Sequence, residues 1–186
     1  MAAIYAKTEL GQNEIRERAH ALQRHSRTLL VLADGTRTGT DSGTPGLASE
    51  PPPARVLIAE DNAVNRMLLQ LQVQSLGYWV EVVSSGPEAL EALRDPIHDI
   101  VLMDIEMPVM NGFDATDRIR RFEASQEWAW TPIIFLTGSD TTDNLVTAIE
   151  AGGDDLIAKN APEPVLRAKM KAMTRVAGLR QKLAYA

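Results

Sequence analysis

From Ala54 onward, apolar and polar positions follow two patterns that alternate along the chain. Arg55–Ala59 (RVLIA) is a short apolar run, the pattern of a parallel strand covered on both faces. Trp79–Val83, Asp99–Asp104, Pro132–Thr137 and Leu156–Ala158 read as four further strands. Between the runs the period changes. Val64, Met67, Leu68 and Leu71 follow helical spacing, and Gly77 is placed to end that helix. Pro87–Leu93 reads as a short helix with proline in its first turn, and Gly112–Glu123 as another. Thr141–Ala151 is a helix with Gly152-Gly153 past its end, and Pro164 opens a final helix towards Tyr185. Five βα units in succession predict a parallel sheet with helices on both faces. Sites in such sheets form outside the carboxyl ends of the strands, where strand order reverses.

The chain before these units reads differently. Residues 34–53, DGTRTGTDSGTPGLASEPPP, hold 4 Gly, 4 Pro, 4 Thr and 2 Ser, and predict a flexible linker with a stiffer proline end. Residues 1–33 carry Leu10, Ile15, Ala19 and Leu22 at roughly helical spacing, so a short N-terminal helical segment is expected. The main body spans 54–163, and 164–186 is its extended last helix.

The strand exits carry the chemistry. In Val101–Gly112, VLMDIEMPVMNG, an apolar run ends in Asp104 and breaks into a turn. Glu60 and Asp61 leave the first strand in the same way. Any one such acid has a plain reading as a solvated strand terminus. If the strands are neighbours, however, three carboxylates converge, and like charges held together raise one another's pKa unless a cation sits among them. A hard divalent ion suits oxygen ligands, and Mg²⁺ takes few protein carboxylates. Thr137 and Lys159 end the fourth and fifth strands, offering a hydroxyl and an ammonium. Both suit the oxygens of an incoming phosphoryl group. The carboxylate of Asp104 then serves as nucleophile, and positioning with charge neutralisation supplies most of the catalysis.

Composition narrows the setting. No cysteine is present, which excludes disulfides and thiolate chemistry. No stretch approaches the roughly 20 apolar residues of a membrane span, and the first residues lack a signal-peptide pattern, so a cytoplasmic location is expected. Residues 54–163 have a net charge of −12, whereas 164–186 carry six basic residues and no acid. A body that acidic repels nucleic-acid backbones.

Glu60-Asp61-Asn62, Asp104 within MDIEMPVMNG, Thr137 within PIIFLTG, and Lys159 after GGDDLIA together resemble the receiver domain of two-component response regulators. The resemblance covers Arg55 to about Gly178. It implies a flavodoxin-like doubly wound five-stranded sheet of order 2-1-3-4-5. Asp104 is then the phosphoacceptor, with Mg²⁺ held by Asp61, Asp104 and the backbone carbonyl of Glu106, and by Glu60 mostly through water. Thr137 and Lys159 read the phosphoryl group. The implied partners are a histidine kinase or histidine phosphotransfer protein as donor and an effector protein downstream. The protein is then a switch that catalyses its own phosphorylation rather than a metabolic enzyme.

Two positions depart from that family. Asn160 stands where receivers have a cis proline, so the bond after Lys159 is either trans or strained at about 3–4 kcal/mol. Leu156 stands where an aromatic residue acts as a switch. These departures motivate a rival reading, a pseudo-receiver that binds partners whatever the state of Asp104. A second rival is a hydrolase with Glu106 as general acid, against which a body this small offers no substrate cap.

The remaining features have structural readings. Met107, Pro108 and Met110 shape the turn, Gly112 serves the loop-to-helix turn, and Gly138 keeps space open over the site. Asp154-Asp155 is expected in a solvated loop. His20, His25 and His98 are scattered, and Trp128 and Trp130 are expected to cover the far end of the sheet. In the last helix, Val165, Ala172, Val176, Leu179 and Leu183 include coiled-coil-like spacings, which makes a homodimer or partner contact through that helix a second expectation beside simple packing.

Overall fold

The computed structural model describes residues 53–126, 130–138 and 142–184. The expected N-terminal helical segment, the linker up to residue 52, His20, His25, Trp128, Thr141 and Tyr185 lie outside the described residues. Five strands, β1 (Arg55–Ala59), β2 (Trp79–Val83), β3 (Ile100–Asp104), β4 (Ile133–Thr137) and β5 (Asp155–Ala158), alternate with five helices. The helices are α1 (Ala63–Ser75), α2 (Gly86–Ala92), α3 (Gly112–Ala124), α4 (Thr142–Glu150) and α5 (Glu163–Ala184). All strand pairs are parallel, and the order across the sheet is β2-β1-β3-β4-β5, the doubly wound arrangement expected.

The unbroken apolar runs follow from this arrangement, because successive strand residues point to opposite faces and both faces are covered. Leu57, Ala59, Val101, Met103, Ile133 and Phe135 pack on one face against Ala89 of α2, Ala115 and Ile119 of α3 and Ala148 of α4. Val56, Ile58, Ile100, Leu102, Ile134 and Leu136 pack on the other against Val73 of α1 and Leu166 and Met170 of α5. Burying each such Val, Leu or Ile contributes about 1.5–3 kcal/mol.

The helix ends are set locally. Asn62 caps α1, accepting from the amides of Val64 and Asn65, and Gly77 leaves it at φ +90°. Ser85 caps α2 and Asn111 caps α3. The positions that marked α1 in the sequence are not those that anchor it. Val73 is its one buried residue, while Val64, Met67, Leu68 and Leu71 are exposed.

One expectation fails at the foot of β5. Asp154 and Asp155 are not in a solvated loop: Asp155 is the first residue of β5, and both are paired. Asp154 meets the guanidiniums of Arg120 (2.9 Å) and Arg180 (3.0 Å) and accepts the amide of Ile133 at 2.9 Å. Asp155 meets Lys169 at 2.7 Å. The physical reason is that α5 carries its basic residues back over the sheet, where the start of β5 supplies the counter-charge. The helix packs through Leu166, Met170 and Ala177 and leaves Val165 and Leu179 exposed. Trp130 sits at the foot of β4, half exposed, with the Arg180 guanidinium stacked 3.4 Å from its ring centroid. Among the described residues no helix is long and apolar enough to cross a membrane.

Candidate functional site

Strand register brings the predicted residues together. Ala59 pairs with Met103, so the residues that follow them, Glu60 and Asp104, stand side by side where β1 and β3 end. Asp104 pairs with Leu136, and Thr137 with Ala158, which places Thr137 one step and Lys159 two steps further along on the other side of Asp104. The junction of β1 and β3 is also where the strand order reverses.

Carboxylate oxygens of Glu60, Asp61 and Asp104 lie within 4.8 Å of one another. Glu60 and Asp104 are buried, Asp61 is exposed. Lys159 Nζ bridges the buried pair, 2.7 Å from Asp104 Oδ2 and 2.9 Å from Glu60 Oε2. Asp104 Oδ1 accepts the amide of Glu106 at 3.1 Å. Oδ2 is buried and makes no well-directed hydrogen bond, so its contact with Lys159 is an ion pair. Thr137 is buried at the end of β4, and Asn144 Nδ2 of α4 donates to its Oγ1 at 3.3 Å.

Two buried carboxylates thus share one ammonium. Burial pushes the Asp104 carboxyl up to about 6 from an ordinary 3.8; Lys159 opposes this shift and the charge of Glu60 adds to it. Burial alone would lower the Lys159 ammonium, but Asp104 and Glu60 hold its proton and raise it instead. The uncompensated negative charge and the hard oxygen donors fit a small divalent cation.

The surrounding loops are shaped for this cluster. A Cβ on Gly112 would lie 2.2 Å from the carbonyl oxygen of Asp104, so only glycine permits the loop to return so closely under the strand. Met107 and Met110 are buried beneath the turn, as expected. Val109 between them adopts φ +70° with its side chain wholly exposed, and Met110 N donates to Pro108 O at 2.8 Å across it. That closes a γ-turn, a conformation costly for a β-branched residue. A methyl group on Gly138 would meet none of the described residues within 4 Å.

The two departures resolve as follows. No described peptide bond is cis, so the Lys159–Asn160 bond is trans and Lys159 still reaches both acids. Leu156 is buried in the face with Ile133, Phe135 and Ala148, so no aromatic side chain stands at that position. Three neighbours escaped the sequence reading. Asn65 Nδ2 donates to Glu60 Oε1 at 3.4 Å, Arg66 Nη1 donates to the carbonyls of Glu60 and Asp61, and Asn144 reaches Thr137. The first two stand in the first turn of α1, five or six positions after the groups they reach. His98, away from the site, is buried against Glu81 at 3.0 Å.

Comparison with known proteins places this arrangement. The chain is 35% identical over 119 residues, 64% of its length, to the Sensor protein GacS of Pseudomonas syringae, of which it spans only 13%. The receiver domain of sensor histidine kinase PA1611 from Pseudomonas aeruginosa, solved with magnesium in its active-site cleft, matches 68% of this chain and 98% of its own at 31% identity and a TM-score of 0.58. The receiver domain of Saccharomyces cerevisiae Ssk1, solved in complex with the histidine phosphotransfer protein Ypd1, appears in a structure that matches 66% of this chain and 88% of its own at 27% identity and a TM-score of 0.58. Residues 56–171, well over half the chain, match the response regulator receiver domain family, and with the strand order and the strand-end cluster they show that the chain belongs to it.

Proposed function

We propose that Asp104 accepts a phosphoryl group from a phosphohistidine on a histidine kinase or histidine phosphotransfer protein, and that the aspartyl phosphate is the signalling state. The observation that carries this reading is Lys159 Nζ held between Asp104 (2.7 Å) and Glu60 (2.9 Å) with Asp61 open to solvent beside them. An oxygen of the Asp104 carboxylate attacks phosphorus. The P–N bond breaks with its electron pair passing to the imidazole nitrogen, which takes a proton from solvent, and a mixed carboxylic–phosphoric anhydride remains. Lys159 and the Thr137 hydroxyl are the groups that receive phosphoryl oxygens. Asp61, Asp104 and the Glu106 carbonyl would hold Mg²⁺, with Glu60 acting through water; the ion would supply charge neutralisation for the carboxylate and the phosphoryl oxygens. The donor surface is the exposed apolar face of α1, where Val64, Met67, Leu68 and Leu71 follow directly on the acidic loop. That face has no acid and buries little, so it suits an apolar helical partner.

Intact mass after incubation with phosphoramidate tests the reading. A gain of one phosphoryl group that requires Mg²⁺ and is absent in Asp104→Asn supports it; no gain in a folded wild-type chain refutes it. A second reading, a binding module that works without phosphorylation, is favoured by Leu156, whose burial leaves no aromatic switch to report on Thr137. Amide exchange in α4 and β5 separates the two. Protection that changes on phosphorylation supports the switch, and identical protection supports the module.

A further inference from the structure

Glu60 and Asp61 are held in different ways. The Glu60 carboxylate is fixed by side-chain and amide contacts: Lys159 on Oε2 at 2.9 Å, the Asn62 amide and the Asn65 side chain on Oε1 at 3.3 and 3.4 Å. The Asp61 carboxylate is exposed, and no group of the described residues bonds it. Its position is therefore set by its main chain alone. That main chain is held at the Asn62 amide by Glu60 Oε1, and at the two carbonyls before it by the side chain of Arg66. Arg66 Nη1 donates to the carbonyl oxygens of Glu60 at 2.8 Å and Asp61 at 3.0 Å, tying the turn after β1 to the first turn of α1. The Arg66 backbone amide also bonds the Asn62 carbonyl at 2.9 Å, so the tether starts from a formed helical turn.

We infer that Arg66 is a positioning residue for divalent-cation binding, holding the main chain under Asp61 so that its carboxylate meets those of Glu60 and Asp104. The inference rests on the proposed cation site and deepens it. Two effects of Arg66 oppose each other. Its positive charge repels a dication, but at an exposed loop in physiological salt that repulsion is screened over about 8 Å. The ordering of the ligand-bearing turn is not screened. Outer groups that orient metal ligands typically change affinity by about 10–100-fold. Because Arg66 acts through main chain rather than on a carboxylate, the lower end is expected.

The test is calorimetric titration of the full chain with MgCl₂ at physiological ionic strength, for wild type, Arg66→Ala, Arg66→Lys and Asp61→Asn. The expected result is weakening of Mg²⁺ affinity by about tenfold in Arg66→Ala and by less in Arg66→Lys, which keeps a donor. The melting temperature in EDTA should stay at the wild-type value, a result that a merely structural role would not give. Equal or tighter Mg²⁺ binding by Arg66→Ala overturns the inference and leaves the cation site standing, provided that Asp61→Asn abolishes binding. Absence of binding in the wild type overturns both. Should Arg66→Ala lose its fold, Arg66→Gln, which keeps the stem and a donor without the charge, decides between the same outcomes.

Discussion

Lys159 Nζ lies 2.7 Å from Asp104 Oδ2, at the end of a strand whose next peptide bond is trans. The same ammonium also neutralises Glu60, so this one side chain balances two buried acids. Its removal leaves both without a cation. Breaking a buried ion pair from one side costs about 3–5 kcal/mol. Lys159 is one-quarter exposed (26%), and Asp104 can take up a proton, so Lys159→Met is expected to lose about 3 kcal/mol in urea unfolding at neutral pH without divalent cations. The double variant Lys159→Met/Asp104→Asn should recover part of that loss, because only one buried acid remains unpaired. Additive losses would show that the pair contributes no coupling.

The position of Asp104 also sets a pH dependence. Its carboxyl is held up at about 6 against 3.8. A raised carboxyl binds its proton more tightly in the folded chain than in the unfolded one. Between about pH 4 and 6 the folded state therefore holds the extra proton, and the cost of ionising Asp104 grows as pH rises through that window. Above about pH 6 the cost is fully present. The two-unit difference corresponds to roughly 3 kcal/mol, a net cost that already includes the attraction to Lys159. Asp104→Asn is thus expected to be more stable than wild type by about 3 kcal/mol at pH 7.5 in EDTA, with the gain fading towards pH 4. Urea unfolding at both pH values checks it, and a gain independent of pH would count against burial as the cause.

The fold and the core of the site were legible because both are written locally. Unbroken runs such as VLIA and PIIFLT specify strands covered on both faces, and an acid directly after such a run must emerge at a strand end. Residues that act across the fold were not legible. Asp154 meets Arg120 and Arg180, which lie 34 and 26 positions away in the chain, and nothing near Gly153-Asp154 signals either contact. A polar pair after two glycines has the local appearance of a solvated loop. Its burial is decided by where α5 returns. Arg66 was missed for a different reason: its targets are main-chain carbonyls, which carry no sequence signal.

Gly112 and Gly138 flank the site and should respond in opposite ways to the same change. A methyl group at Gly112 meets the Asp104 carbonyl oxygen at 2.2 Å, and that oxygen belongs to a buried strand that cannot yield. Gly112→Ala is expected to cost about 3 kcal/mol or more, and to displace Asp104 from Lys159. At Gly138 no described residue lies within 4 Å of an added methyl group, so Gly138→Ala should change stability by less than about 1 kcal/mol. Thermal unfolding of the two variants side by side makes the comparison, and similar losses would contradict the close approach at Gly112.

Asp154 holds the end of α5 to the sheet, and its removal should be felt as one unit with its partners. Its Oδ2 accepts from Arg120 Nη2 and from the Ile133 amide, both at 2.9 Å, while Oδ1 meets Arg180 Nη2 at 3.0 Å. Asp154→Ala leaves two guanidiniums facing each other and a strand amide unpaired, an expected loss of about 3 kcal/mol. Arg180→Ala loses its carboxylate contact and its stacking on Trp130, about 2 kcal/mol together. Since Asp154→Ala leaves two guanidiniums without their shared carboxylate and the double variant leaves only Arg120, the double variant should lose about 1 kcal/mol less than the sum. Urea unfolding of the cycle measures this. A strictly additive result would mean that Asp154 and Arg180 contribute independently, with no coupling through their ion pair.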